Sequence, residues 1–146
     1  MAIVTHECDL DVSAADAWAV LADFSGFLNW AAGGPAGGAT LEIIGDEGIG
    51  MIRRMNIPGI GIVGERLVRR EPENMVLSYE ISEGNPLGMD TYIAVVTLSD
   101  KGDGTCHIDW NGKMTAVEGA DENQVAQSLQ GSFVGMSEAL EAYVKG

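Results

Sequence analysis

From Thr40 to Thr115 the chain reads as strand after strand, and then its hydrophobic period changes once. Leu77, Tyr79 and Ile81 alternate with Ser78, Glu80 and Ser82, and Ile108 and Trp110 alternate with His107, Asp109 and Asn111. A period of two sends alternate side chains to opposite faces of a strand. Strands are expected at 40–45, 49–57, 62–70, 75–82, 89–99 and 105–115. Turn-forming residues part them: Gly45-Asp46-Glu47-Gly48, Pro58-Gly59, Glu71-Pro72-Glu73-Asn74, Asn85-Pro86 and Asp100-Lys101-Gly102-Asp103-Gly104. Beyond Glu118-Gly119 the period is helical. Val125, Leu129, Phe133, Met136, Leu140 and Tyr143 recur at steps of three and four, one stripe on a long helix.

The beginning completes the pattern. Residues 3–12 alternate, with Val4, His6, Cys8, Leu10 and Val12 on one face. Ser13 reads as an N-cap with Asp16 three residues on. A short helix carrying Ala17, Trp18, Val20 and Leu21 should follow, then a second around Phe24, Phe27, Leu28 and Trp30. The run Ala31–Ala39 (AAGGPAGGA) is too rich in glycine for regular structure. One strand, two short helices, six strands and one long helix make an α+β design, its strands in antiparallel hairpins and its helices on one face. At 146 residues this is expected to be a single domain spanning 1–146.

Charge and motifs narrow the function. Eight basic and 22 acidic residues leave a net charge of −14, a surface that repels phosphate backbones and anionic lipid heads, so neither nucleic acid nor membrane is expected as a partner. The opening MAIVTHECDLD is not a secretory signal. Cys8 and Cys106 form no disulfide framework, which suits a reduced, cytoplasmic protein. No His, Cys and carboxylate set has metal-ligand spacing, and neither metal nor cofactor is expected. Gly59-Ile-Gly61-Ile-Val-Gly64 spells G-x-G-x-x-G, but strand rather than helix follows, so it reads as an apolar loop and not a dinucleotide cradle. Arg54, Arg66 and Arg70 read as outward residues balanced by nearby acids.

Several segments in order resemble the START-related superfamily (SRPBCC), which includes birch-pollen-type allergens, plant abscisic-acid receptors and bacterial polyketide cyclase/dehydrase-like proteins. The segments are Val12-Ser-Ala-Ala-Asp-Ala-Trp18 with Leu21, Asp23-Phe24 and Trp30; Gly48-Ile-Gly-Met-Ile-Arg53; Gly64-Glu-Arg-Leu67; Leu77-Ser-Tyr79-Glu-Ile81; Asn85-Pro-Leu87 with Tyr92; and Cys106-His-Ile-Asp-Trp110. The resemblance implies a helix-grip fold, a seven-stranded antiparallel sheet wrapped around the long C-terminal helix. It also implies a cavity between sheet and helix for a hydrophobic or aromatic small molecule, in a monomer or homodimer. Pro58, Gly59, Ile60 and Gly61 match the position of a gate loop, and Asn85–Gly88 its neighbouring latch. The lysine that anchors a ligand carboxylate in the plant receptors has no counterpart in AAGGPAGGA, which argues against abscisic acid.

Alternation and the resemblance give the same inward row. Met51, Arg53, Met55 and Ile57, then Val63, Glu65 and Leu67, then Tyr79, Tyr92 and Trp110 should face the cavity, roofed by Ser128, Ser132 and Met136. Gly131 and Gly135 are expected to thin the helix there, and 11 of the 20 glycines, between Gly26 and Gly64, to ring the mouth. Arg53 and Glu65 are the two charges in an otherwise apolar row, and burying either alone is expensive, so they should pair. Two readings of the pair stand: a structural ion pair, or a polar anchor in which Glu65 serves as acid or base. Tyr79 and Tyr92 add phenol hydroxyls to either one. Inward His6 reads as a core residue and outward His107 as surface. Two functions follow. One is a binding module that carries or senses an aromatic or polyketide-like molecule. The other is a cofactor-independent cyclase, dehydratase or lyase using Glu65, with Arg53, Tyr79 and Tyr92 stabilising an oxyanion.

Overall fold

A computed structural model describes all residues, 1–146. The alternating N-terminal segment forms β1 (Ala2–Leu10), paired antiparallel with the last strand. Beyond the strand Ser13 caps α1 (Ala14–Leu21), its hydroxyl accepting from the Asp16 N–H at 3.1 Å. A 3-10 helix follows at Phe24–Asn29. The glycine run is not wholly irregular: Gly34–Gly37 makes one 3-10 turn, because Gly33 and Gly38 on either side take φ of 83° and 80°, which side chains resist. The remaining strands are β2 (Thr40–Ile44), β3 (Ile52–Ile57), β4 (Gly61–Glu71), β5 (Val76–Glu83), β6 (Met89–Asp100) and β7 (Cys106–Ala116). A short 3-10 turn at Pro86–Gly88 precedes β6, and α2 (Glu122–Lys145) closes the chain. Asp121 caps α2, its carboxylate accepting from the N–H groups of Asn123 and Gln124.

The seven strands form one antiparallel sheet in the order β1-β7-β6-β5-β4-β3-β2. This is the helix-grip arrangement, with α2 lying across the concave face. The helix does not cover that face evenly. It packs on β1, β7, α1 and the Pro86–Gly88 turn, where Trp110 stacks on Phe133 at 5.1 Å between centroids and donates from Nε1 to the Ser137 hydroxyl at 2.8 Å. Gly112 permits the close approach. A Cβ there would stand 3.1 Å from both Phe133 and Tyr92 and 3.2 Å from Leu129, so this glycine inside a strand marks where helix and sheet meet. Towards β3, β4 and β5 the inward face is left for something else.

Local irregularities change two expectations. The register of β4 on β5 slips between Leu67 and Arg69. This bulge inverts the alternation beyond it, so Arg70 stands opposite Leu77 on the concave side rather than outward. Its guanidinium donates to the Ala22 carbonyl at the end of α1, at 3.2 Å, and to Glu47 at 2.7 Å. Arg54 and Arg66 do face outward, paired with Glu83 and Glu80. Ser78, expected outward and exposed, is buried; its hydroxyl donates to the Ala94 carbonyl at 2.7 Å, which removes the cost of burial. Between β5 and β6 the pairing stops at Glu80–Ile93. Beyond it the strands part, and a second pocket opens beside Ile81, Tyr92, Met1 and Met114.

Candidate functional site

The uncovered part of the concave face is a cavity of about 380 Å³, within the range of small-molecule sites. Met55 and Ile57 of β3, Val63 and Glu65 of β4, Tyr79 of β5, and Met89 and Tyr92 of β6 form its floor. Leu129, Ser132 and Met136 of α2 roof it. Its sides are Phe27, Ala31, Ala32 and Gly37 from the short-helix segment and Pro86 and Leu87 from the turn before β6. Pro58 and Ile60 reach it from the three-residue β3–β4 hairpin tip, which the Ile60 N–H closes onto the Ile57 carbonyl at 3.0 Å. Gly59 and Gly61, at φ of 82° and 99°, shape that turn but do not line the cavity.

Arg53 and Glu65 are cross-strand partners in the β3–β4 register. The Arg53 Nε donates to Glu65 Oε1 at 2.8 Å, and Nη1 donates to the Phe24 carbonyl at 3.2 Å. The guanidinium lies 4.0 Å from the ring centroids of both Phe24 and Phe27 and 5.0 Å from that of Tyr79. Aromatic faces attract a cation, most of all out of water. Arg53 is 2% exposed and does not reach the cavity; Glu65 stands in front of it, on the cavity wall. The Oε2 of Glu65 accepts no hydrogen bond from the protein. The pair is therefore asymmetric: a caged cation behind, a carboxylate edge in front.

Tyr79 and Tyr92 meet edge to face at 6.1 Å and both line the cavity. The Tyr92 hydroxyl is buried without a hydrogen-bond partner. Burial, then the Glu65 charge, pushes the Tyr79 phenol up from its usual value. Burial, then the neighbouring Tyr79 phenol, raises Tyr92 well above its usual value. Both phenols keep their protons at neutral pH, and both are hydrogen-bond donors rather than bases.

Several residues expected at the cavity lie elsewhere. Met51 precedes β3 and sits in the core, its sulfur accepting from the Gly48 N–H at 3.4 Å. Trp110 belongs to the Phe133–Ser137 packing under α2, not to the wall. Ser128 is exposed, because it lies about 40° round the helix from Ser132, on the side away from Leu129 and Met136. Gly131 and Gly135 face open space, so they clear no room for a ligand. Of the 11 early glycines only Gly37 lines the cavity; Gly45, Gly48 and Gly50 serve the β2–β3 turn. His6 is half-buried on β1 opposite Trp110, away from the cavity. His107 pairs with Asp9 at 2.8 Å on the surface. Phe27, Met89 and Leu129 were not singled out as lining residues. Phe27 belongs to a short helix whose facing no alternation reveals, whereas Leu129 lies on the apolar stripe of the long helix, where periodicity does not separate cavity roof from core.

No group of three or more His, Cys, Asp or Glu side chains is placed to hold a metal ion. No helix is long and apolar enough to cross a membrane.

Comparison with known proteins agrees with this architecture. Norcoclaurine synthase from Thalictrum flavum superposes with a TM-score of 0.76 at 24% identity, covering 98% of this chain and 86% of that one. The XoxI protein of Bacillus cereus superposes with a TM-score of 0.77 at 20% identity, covering 98% and 95%. Ara h 8.0201 gives 0.78 at 18% identity, covering 98% and 97%. No curated protein matches the sequence. The family model described as polyketide cyclase / dehydrase and lipid transport matches residues 1–145, and the chain belongs to that family.

Proposed function

We propose that the protein binds an apolar, aromatic or polyketide-like small molecule in the cavity between sheet and C-terminal helix, as a carrier or sensor. The observation that carries this reading is the cavity of about 380 Å³ itself, walled mainly by apolar and aromatic side chains with one carboxylate, Glu65, among them. Met55, Met89 and Met136 supply adaptable apolar walls. Pro58 and Ile60, on the turn shaped by Gly59 and Gly61, act as the lid. Norcoclaurine synthase, which shares the fold, has been seen in complex with dopamine and hydroxybenzaldehyde. The two free cysteines, both with thiols pushed up by burial, fit a reducing, cytoplasmic setting.

One observation favours a second reading, a cofactor-independent cyclase, dehydratase or lyase. Glu65 lines the cavity with its Oε2 free of protein hydrogen bonds, in a wall that also holds Tyr79 and Tyr92. It would take or deliver a proton while Tyr79 and Tyr92 hydrogen-bond the developing oxyanion and Arg53 holds the carboxylate from behind. Glu65→Gln separates the two readings when tested with a panel of aromatic and polyketide-like compounds. The enzyme reading expects turnover to fall about 10²–10⁴-fold with affinity for the neutral ligand kept. The binding reading expects the parent protein to turn over none of the panel.

A further inference from the structure

The polar end of the cavity has a charge balance and a donor–acceptor pattern that select among ligands. Glu65 is the only charged residue lining the cavity, and the Arg53 guanidinium already neutralises it at 2.8 Å. That guanidinium has no approach to a ligand, since Phe24, Phe27 and Tyr79 surround it. A carboxylate ligand would meet the Glu65 carboxylate with no exposed cation to answer it. An ammonium ligand would bring one uncompensated positive charge into a site whose ion pair is already complete. Either burial is costly. One group remains unmatched: Glu65 Oε2, which only accepts. A neutral hydroxyl is complementary to it, donating to the Glu65 carboxylate without bringing a charge.

Resting on the binding reading above, we infer that the cavity selects ligands whose buried head is a neutral hydroxyl on an aromatic or apolar body, and that it rejects carboxylates and ammonium ions of the same shape. Glu65 is then the specificity-determining residue, with Arg53 positioning it and setting the site's net charge to zero.

The test uses a shape-matched set: 2-naphthol, 2-naphthoate, 2-naphthylmethylammonium and naphthalene, titrated into the whole protein at pH 7 by calorimetry or intrinsic fluorescence. Expected is binding of 2-naphthol at least about thirtyfold tighter than either charged compound, a gap appropriate to burying an uncompensated charge. 2-Naphthol should bind about three- to tenfold tighter than naphthalene, the worth of one hydrogen bond to Glu65. Glu65→Gln unmasks the Arg53 charge, so the preference for naphthol over naphthoate should shrink at least about tenfold, a change that general loosening of the fold would not produce. Naphthoate binding as tightly as naphthol to the parent protein would overturn the inference while leaving the binding reading intact. Absence of binding by all four compounds would overturn both.

Discussion

Arg53→Met should destabilise the protein by about 3–5 kcal/mol, the loss that follows when one partner of a buried ion pair is removed. The substitution leaves the Glu65 carboxylate, 8% exposed, without its hydrogen bond or countercharge. It also empties the space between Phe24 and Phe27 of the cation both rings face at 4.0 Å, and frees the Phe24 carbonyl. Urea unfolding monitored by tryptophan fluorescence measures the loss as a lowered midpoint. The double variant Arg53→Met/Glu65→Leu should regain most of it, because a well-packed apolar pair often equals a buried ion pair in stability. That asymmetry separates a pair retained for the site from one retained for the fold. A single Arg53→Met variant within about 1 kcal/mol of the parent would mean the cage contributes little, contrary to the burial of Arg53, its two hydrogen bonds and the three rings around it.

Ser132→Trp should abolish ligand binding without unfolding the protein. Ser132 lines the cavity from α2 and is half-buried. The indole would extend into a space of about 380 Å³ instead of into packed core, so the usual cost of overpacking, about 1–3 kcal/mol, is largely avoided. Affinity for 2-naphthol is expected to drop by at least about a hundredfold, since the body of the ligand and the indole would compete for one apolar volume. Ser128→Trp is the matched control. Ser128 is exposed on the same helix, one turn earlier, and does not border the cavity, so its variant should bind as the parent does. Equal loss in both variants would point to a general effect on α2 rather than to occlusion.

Those two serines also show how far sequence reasoning reaches. Strand parity was legible because alternation is a rigid rule. Met55, Ile57, Val63, Glu65, Tyr79 and Tyr92 all line the cavity that the inward row described. The Arg53–Glu65 pair was legible for the same reason, two charges on one apolar face of adjacent strands. Helix facing is less sharply written, because a four-residue step drifts about 40° round the axis; Ser128 and Ser132 look alike in the chain yet only one is roofing. Inwardness is not the same as lining. Met51 and Trp110 point inward as expected, but they are covered by the β2–β3 turn and by α2, which only the tertiary packing decides. A bulge is a further blind spot. The slip between Leu67 and Arg69 leaves no mark in the run Leu67-Val68-Arg69-Arg70, and it turns Arg70 inward. The aromatic cage about Arg53 depends on the Phe24–Asn29 3-10 helix, whose facing no period announces. Gly112 carried a readable signal, a glycine inside a strand, whose meaning was the contact with Tyr92, Leu129 and Phe133.

The methionines provide the most direct test of where a ligand goes. The chain has seven. Met55, Met89 and Met136 line the cavity, whereas Met1 and Met114 border the second pocket where β5 and β6 part, and Met51 lies in the core. With methyl-labelled methionine, 2-naphthol titrated into the protein should shift the Met55, Met89 and Met136 methyl resonances and give intermolecular proton contacts to them. Met1 and Met51 should stay in place. Contacts confined to Met1 and Met114, with the three cavity methyls unmoved, would contradict the assignment of the cavity as the binding site.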